Sequence, residues 1–128
     1  MTLSEAIRQG ATCHPQYRGD LFRWGEDGKV AATCALGAAY VATFGAPPKP
    51  LELTQHDVDQ CYEQLVLAYP ELDYLDMVII DWNDEWRWSR EKIAAALEAG
   101  DYYLTPEYLA ILKRGKRECA PERTAVPA

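Results

Sequence analysis

The sequence has no apolar run approaching the roughly 20 residues that a membrane-spanning helix needs. Its first residues read as the start of a helix, not as a basic segment followed by an apolar core, so no secretory signal is expected. The four cysteines are widely spaced and include no C-x-x-C pair. Reduced thiols are the expectation. Together these absences predict a soluble, cytoplasmic protein that makes no membrane contact.

Basic residues are the minority, since 13 Lys and Arg stand against 20 Asp and Glu, for a net charge of −7. Nucleic-acid binding requires clustered Lys and Arg that neutralise phosphates. The one dense basic stretch, Lys113–Arg117, lies where a helix is predicted to end, and its cations offset the helix dipole there. No nucleic-acid partner is therefore predicted. An acidic chain can instead mimic nucleic acid or bind a basic partner, but these acids are spread along the sequence, which disfavours that function.

Motifs of catalysis and metal binding are also missing. The chain has no G-K-[ST] phosphate loop, no H-E-x-x-H and no G-x-S-x-G. Cys13 and His14 are adjacent, but neighbouring side chains seldom point at each other as a nucleophile and its base must. A zinc site built from these two with His56 and Cys61 would lack the local pairing of structural zinc sites. The sequence predicts no catalytic residue, no metal and no cofactor.

What is present is an ordinary globular composition, 48% hydrophobic and 26% charged, in a chain of one-domain length. Caps, apolar periodicity and stop signals predict helices at five places, with a helix favoured over a strand for the fourth. A sixth helix, Thr105–Gly115, is predicted from its Thr-Pro start and Gly stop. The five are a helix capped by Thr2, an apolar helix over Cys34–Gly45, a helix from Thr54, one over 71–82 and one after Ser89.

Asp-Gly between two runs of strand-forming residues predicts a hairpin. Its strands are placed at Asp20–Trp24 and Lys29–Thr33, around the turn Gly25–Gly28. The predicted fold class is mainly α (α+β): a compact bundle of five or six helices with one small β-hairpin. Residues 1–115 are predicted to form a single helical domain. Residues 116–128, which have no apolar periodicity, are predicted to form a flexible C-terminal tail.

The stretch Val78–Ile93, VIIDWNDEWRWSREKI, concentrates three tryptophans beside acids and an asparagine. One interpretation is structural: two helices meet at a tight corner, with turn-forming residues at its centre and tryptophans packed around it. The other is a recognition surface, because Trp is enriched in binding hot spots. The acids of this stretch, Asp81, Asp84 and Glu85, also have the chemistry for acid–base work, although carboxylates of this kind commonly serve helix dipoles. The candidate binding residues are Trp82, Asn83, Asp84, Trp86 and Trp88.

Two motifs give the chain a family resemblance. CALGAA at Cys34–Ala39, and V-I-x-x-W-N-D-x-x-x-W-S-R-E-x-I-A from Val78, resemble a family of short uncharacterised bacterial and phage proteins. The resemblance implies a zinc site in many members, from a C-P-x-C knuckle and the two histidines of H-L-N-D-x-H. Here Asp81 and Trp86 stand at the histidine positions, and the upstream region reads ELDYLDM. The resemblance thus implies that the zinc is lost, with Trp86 packed against Trp82 to hold the corner.

Two functions remain open on these grounds. The first is a small non-catalytic interaction or accessory protein, with a protein partner, since no catalytic signature accompanies the aromatic and acidic segment. The second is an enzyme or small-ligand-binding domain that uses an acidic and aromatic pocket around Asp81–Trp88. A concave pocket that gathers Asp81, Asn83, Asp84 or His14 would favour the second.

Overall fold

A computed structural model describes residues 1–46 and 55–100, apart from the side chains of residues 55–57. Within these ranges the chain forms five helices and one two-stranded antiparallel hairpin, which confirms the predicted mainly helical class. The predicted helix Thr105–Gly115 and the predicted tail 116–128 lie outside the described residues. The elements are α1 (Leu3–Ala11), β1 (Phe22–Trp24), β2 (Val30–Thr33), α2 (Ala35–Phe44), α3 (Gln55–Ala68), α4 (Leu72–Asp84) and α5 (Arg90–Ala99).

Helix ends follow their local signals closely. Thr2 caps α1 in a capping box, in which its hydroxyl accepts from Glu5 N–H and the Glu5 carboxylate accepts from Thr2 N–H. Ser89 caps α5 by accepting from Lys92 N–H. Gly45 ends α2 in the left-handed conformation, at φ 80°, which glycine adopts without a steric penalty.

The hairpin is shorter than predicted, because β1 begins at Phe22 and not at Asp20. The Asp20 carboxylate accepts a hydrogen bond from Leu21 N–H at 2.8 Å, so that donor is not available to a strand ladder. Leu21 O instead accepts from Cys34 N–H, at the start of α2. A register irregularity between Arg23 and Trp24 bends the hairpin as it enters its turn.

The apolar helix α2 lies at the centre of the fold, as its uniform apolar character predicts. Gly10 of α1 lies against its backbone: a Cβ atom at Gly10 would come within 1.8 Å of Ala38 O. A Cβ atom at Gly37 would lie 2.2 Å from Leu21 O, so Gly37 also serves close packing. Helices α3 and α4 cover α2, and α5 packs on α1.

Helix α3 carries an apolar stripe at helical spacing, which extends to Tyr69 directly after the helix. The stripe faces the core: Cys61, Leu65 and Tyr69 are buried, while Val58, Tyr62 and Val66 are half-buried. The segment Met77–Ile80, which periodicity alone leaves ambiguous between helix and strand, is helical within α4. No helix in the described part of the chain combines the length and the apolar character needed to cross a membrane.

Candidate functional site

Two helices, α4 and α5, meet at a corner with tryptophans packed around it, as the structural interpretation predicts. The predicted turn formers Asn83 and Asp84 are the last residues of α4, so the turn itself lies after them, before the Ser89 cap. Asp81 O accepts from both Glu85 N–H at 2.9 Å and Trp86 N–H at 3.0 Å, so the helix widens and ends there. Arg87 then takes a positive φ of 58°, and Trp88 N–H returns to Trp82 O at 2.8 Å. These bonds turn the chain within a few residues, and the Trp82 and Trp86 rings both contact the Trp88 ring.

The tryptophans of the corner differ in exposure. Trp82 is fully buried, with 0% of its surface exposed, and its ring stacks on Trp88 at a centroid separation of 4.8 Å. Trp86 meets the Trp88 ring edge-on at 6.2 Å and remains 37% exposed. Lys92 Nζ lies 4.3 Å from the Trp88 ring centroid. The ring stacked on Trp82 is thus Trp88, where the resemblance implied Trp86, and Trp86 offers the largest exposed aromatic surface of the three.

Asn83 is a buried hub and not a surface turn residue. Only 1% of it is exposed. Its Oδ1 accepts from Gln16 Nε2 at 2.8 Å and from Ala35 N–H at 3.2 Å, while its Nδ2 donates to Tyr17 O at 2.9 Å and to Asp84 Oδ1 at 2.7 Å. Four hydrogen bonds satisfy the whole carboxamide. Asn83 therefore joins the end of α4 to the start of α2 and to the loop before β1.

Arg90 is a second buried hub, which the sequence does not reveal. With 8% of its surface exposed, its Nη1 donates to Thr33 Oγ1 at 2.9 Å and its Nη2 donates to His14 O at 2.7 Å. Longer bonds of 3.4 Å run to Thr33 O and Ala11 O. Burial lowers the pKa of Arg90, and neutral oxygens surround its charge in place of a carboxylate. Gln16 and Arg90 both link the loop before β1 to the corner, since Gln16 Nε2 donates to Trp88 O and Arg90 Nη2 donates to His14 O.

Of the four residues considered for zinc, the three with described side chains are dispersed. Cys13 is exposed at the end of α1, His14 is half-buried in the following loop, and Cys61 is buried in α3. The side chain of His56 lies outside the described part. Among the residues that the structure describes, no three His, Cys, Asp or Glu side chains gather as metal ligands would.

A small pocket of about 210 Å³, here called the Asp84 hollow, opens at the start of α2. Its polar lining is Asp20, Cys34, Tyr62, Asn83 and Asp84, and its apolar walls come from Leu36, Ile79 and Ile80. Of the sequence candidates it thus gathers Asn83 and Asp84. Asp81, Trp86, Trp88 and His14 lie outside its described lining.

Two ionisable groups that line the Asp84 hollow, the Cys34 thiol and the Tyr62 phenol, are neutral at physiological pH. Burial raises the pKa of the Cys34 thiol to about 11, although hydrogen bonds from Gly37 and Leu36 N–H partly oppose the shift. Burial likewise raises the pKa of the Tyr62 phenol. A nucleophilic cysteine requires a lowered pKa, because the thiolate is the reactive form. The Asp84 hollow therefore contains no activated nucleophile among these groups.

A larger depression, here called the acidic groove, runs between α3 and α4 and has a volume of about 700 Å³. Tyr62, Val66 and Leu67 form its apolar surface, and Asp59, Glu63, Asp73 and Asp76 line it with carboxylates. Tyr62 also lines the Asp84 hollow, so the two depressions adjoin. No Lys, Arg or His occurs among the described residues that line either one.

This arrangement gathers acids that lie apart in the sequence. Asp20 comes from the loop before β1, Asp59 and Glu63 from α3, and Asp73, Asp76 and Asp84 from α4. In the sequence these acids are spread along the chain. The fold brings six of them to the two adjoining depressions. Opposite charges on a partner would meet a single negative field here.

The matched family covers both depressions. Residues 5–100 match a family of unknown function, DUF6197. The chain belongs to this family. The matched range runs from Glu5, the third residue of α1, to Gly100, directly after α5, and it includes both motif stretches at Cys34–Ala39 and from Val78. Neither the curated proteins nor the solved structures contain a match to this member of DUF6197.

Proposed function

We propose that the protein is a small, non-catalytic interaction protein that binds a basic, partly apolar segment of a protein partner. The docking face is the acidic groove together with the adjoining Asp84 hollow. The observation that carries the proposal is the combination in one place of an exposed apolar surface and a carboxylate lining without a basic residue among its described members. An amphipathic helix with cations beside its apolar face is complementary to such a surface.

The apolar surface of the groove supports docking. Leu67 is 83% exposed on α3, beside the half-buried Tyr62 and Val66. A leucine this exposed contributes little to the fold, while its removal from water by a partner contributes to binding at about 25 cal/mol per Å² of apolar surface. Leu67 thus joins two partly exposed apolar side chains in one small apolar patch on the docking face.

The charge of the groove determines the sign of the partner. Glu63 on α3 and Asp73 on α4 face the same depression from its two walls. Complementary charge raises association rates and disfavours partners of like sign. The same surface would repel the phosphates of nucleic acid, in agreement with the net charge of −7.

The alternative function, a small-ligand pocket or an active site, has less support. Ligand pockets commonly measure about 300–1,000 Å³, and the Asp84 hollow measures about 210 Å³. The Cys34 thiol within it is protonated, as its raised pKa requires. Trp82, a candidate binding residue, is fully buried, so that part of the aromatic corner serves the core.

The test uses two synthetic amphipathic helices with the same leucine face. One carries Lys and Arg on its remaining positions, and the other carries Glu. Fluorescence anisotropy of labelled peptides should show the basic helix binding at least about tenfold more tightly. The affinity of the basic helix should fall as salt concentration rises.

Two charge reversals localise the binding. Glu63→Lys in the acidic groove should weaken binding of the basic helix, while Glu26→Lys, which makes the same change in the exposed hairpin turn, should leave it unchanged. Leu67→Ala should also weaken binding, because it removes apolar surface without altering charge. Equal affinity for the two helices, or equal effects of Glu63→Lys and Glu26→Lys, would reject the proposal.

A further inference from the structure

The Asp84 hollow contains a carboxylate that is already oriented. Asp84 Oδ1 accepts from Gly19 N–H at 3.0 Å and from Asn83 Nδ2 at 2.7 Å. Asn83 is itself immobilised by three further hydrogen bonds and complete burial. A binding group held in place before the ligand arrives loses little conformational entropy on binding. Asp84 is therefore suited to select a ligand group by geometry.

A second carboxylate and apolar walls complete the hollow. Asp20 lines it from the loop before β1, and its own Oδ1 is held by Leu21 N–H at 2.8 Å. Leu36, Ile79 and Ile80 supply walls without charge, and the Tyr62 phenol stays neutral because burial raises its pKa. A cation entering this space meets two carboxylates while it leaves much of its water behind.

Guanidinium fits these conditions better than ammonium. It is planar, more weakly hydrated and able to present several N–H donors in a fixed fork, whereas an ammonium is a strongly hydrated point charge. Its stem of three methylenes can lie along apolar walls while the charged end reaches carboxylates. About 210 Å³ is space for one such side chain and not for a bulky ligand.

We infer that the Asp84 hollow is an anchor socket for one arginine side chain of the partner, with the guanidinium held by Asp84 and Asp20. The inference rests on the proposed function, because the arginine belongs to the basic segment docked in the acidic groove. Tyr62 lines both depressions, so a segment lying in the groove can place one side chain into the hollow. The socket then selects partners that carry an arginine at the matching position, and the acidic groove attracts basic segments in general.

The first measurement uses small probes that do not depend on the peptide. Ethylguanidinium and ethylammonium chloride are titrated into the full chain, and NMR follows the Gly19 amide and the Asn83 side-chain amide, both of which hydrogen-bond Asp84. Ethylguanidinium should shift both signals in a saturable way, and ethylammonium should bind roughly fivefold more weakly. Asp84→Asn and, separately, Asp20→Asn should weaken binding of ethylguanidinium. Glu26→Gln in the hairpin turn should not.

The second measurement replaces every arginine of the basic helix by lysine, then restores one arginine at a time. One position should recover most of the lost affinity in the natural protein and none of it in Asp84→Asn. Binding of the basic helix without any saturable ethylguanidinium shift would overturn the socket and leave the proposed function standing. A saturable shift with no binding of either helix would overturn the proposed function and, with it, the assignment of a partner's arginine to the socket.

Discussion

Gln16 and Asn83 lie 67 residues apart in the chain and share a hydrogen bond of 2.8 Å from Gln16 Nε2 to Asn83 Oδ1. The same Nε2 also donates to Trp88 O at 2.8 Å. One side chain from the loop before the hairpin thus holds the end of α4 and the residue before the α5 cap. This loop also supplies Gly19 and Asp20 to the Asp84 hollow, so the contact positions the candidate site.

Replacing the Asn83 carboxamide should destabilise the fold strongly. Asn83→Ala leaves the Ala35 N–H and the Tyr17 carbonyl without their partner in a buried region, and the expected loss is about 3 kcal/mol of the free energy of unfolding. Urea denaturation measures the change. Gln9→Ala on the exposed face of α1 is the control and should stay within about 0.5 kcal/mol. An equal effect of the two changes would contradict the assigned role of Asn83.

Arg90→Lys tests whether charge alone suffices at the second hub. Nη1 and Nη2 reach Thr33 and His14 on separate segments, and a single ammonium cannot span both. The expected loss is about 2 kcal/mol of the free energy of unfolding. Arg23→Lys, at an exposed position of β1, makes the same chemical change and should have no measurable effect on the denaturation midpoint. A fully stable Arg90→Lys protein would show that the fork geometry is unimportant.

Gly10→Ala should disrupt the contact between α1 and α2. The new Cβ would lie 1.8 Å from Ala38 O, and a backbone atom in a packed core cannot move aside cheaply. The expected cost exceeds about 3 kcal/mol. At Gly45→Ala no atom lies within 4 Å of the new Cβ, and only the φ of 80° opposes it, so about 1 kcal/mol is expected. Thermal unfolding of the two variants should therefore give clearly different midpoints, with Gly10→Ala the lower.

The stability of the protein should fall at alkaline pH in part through Cys34. Burial raises the pKa of its thiol from an ordinary value of 9 to about 11. The folded state thus keeps a proton that the unfolded state releases, so this contribution is complete below pH 9 and is lost as pH rises to about 11. Denaturation midpoints measured across this range should decline less in Cys34→Ser, which removes the thiol and places a hydroxyl oxygen where Cys34 Sγ accepts from Gly37 N–H. Identical declines in the two proteins would rule out Cys34 as a source.

The raised pKa of Cys34 also predicts an order of thiol modification. Iodoacetamide should modify the exposed Cys13 well before the buried Cys34 and Cys61 in the folded protein. Mass spectrometry of the digested protein measures each site, and modification in denaturant provides the unprotected reference. Modification of Cys34 at the rate of Cys13 would contradict its burial.

Tryptophan emission tests the corner directly. Acrylamide should quench a component that Trp86→Phe removes, because Trp86 is the most exposed of the corner tryptophans at 37%. That change should cost about 1 kcal/mol or less, from its edge contact with Trp88. Trp82→Phe should cost about 2 kcal/mol, since it leaves a void in the core and alters the stack on Trp88. Loss of the quenched component in Trp82→Phe instead would contradict the burial of Trp82.

The sequence predictions that the structure confirms concern features determined by residues close together in the chain. The capping box of Thr2 and Glu5 involves residues three positions apart, and the α3 stripe follows from a period of 3.6 residues. The start of α5 was likewise predictable, because Ser89 is a strong N-cap residue and its hydroxyl accepts from Lys92 N–H, only three residues along the chain. The start of β1 was predicted two residues too early, at Asp20 and not at Phe22. The Asp20 carboxylate accepts from Leu21 N–H, and this local hydrogen bond competes with strand pairing.

The candidate site was only partly predictable, and Asn83 shows why. The sequence pattern predicted Asn83 and Asp84 as binding residues, but it grouped them in one site with Trp82, Trp86 and Trp88. In the structure the polar pair lines the Asp84 hollow, while the three tryptophans pack against one another and are not part of its described lining. Asp20, Cys34 and Tyr62 join the pair from other elements, and no local pattern connects those positions.

The sequence by itself determined the helices, their caps and the apolar faces of α2 and α3, because these depend on backbone periodicity and on hydrogen bonds between near neighbours. Only the tertiary structure decided where the acids lie relative to one another. Side chains on α3, on α4 and in the loop before β1 become neighbours through packing around α2. Such proximity arises from contacts between distant segments, which is why acids scattered in the sequence form one connected surface in the folded protein.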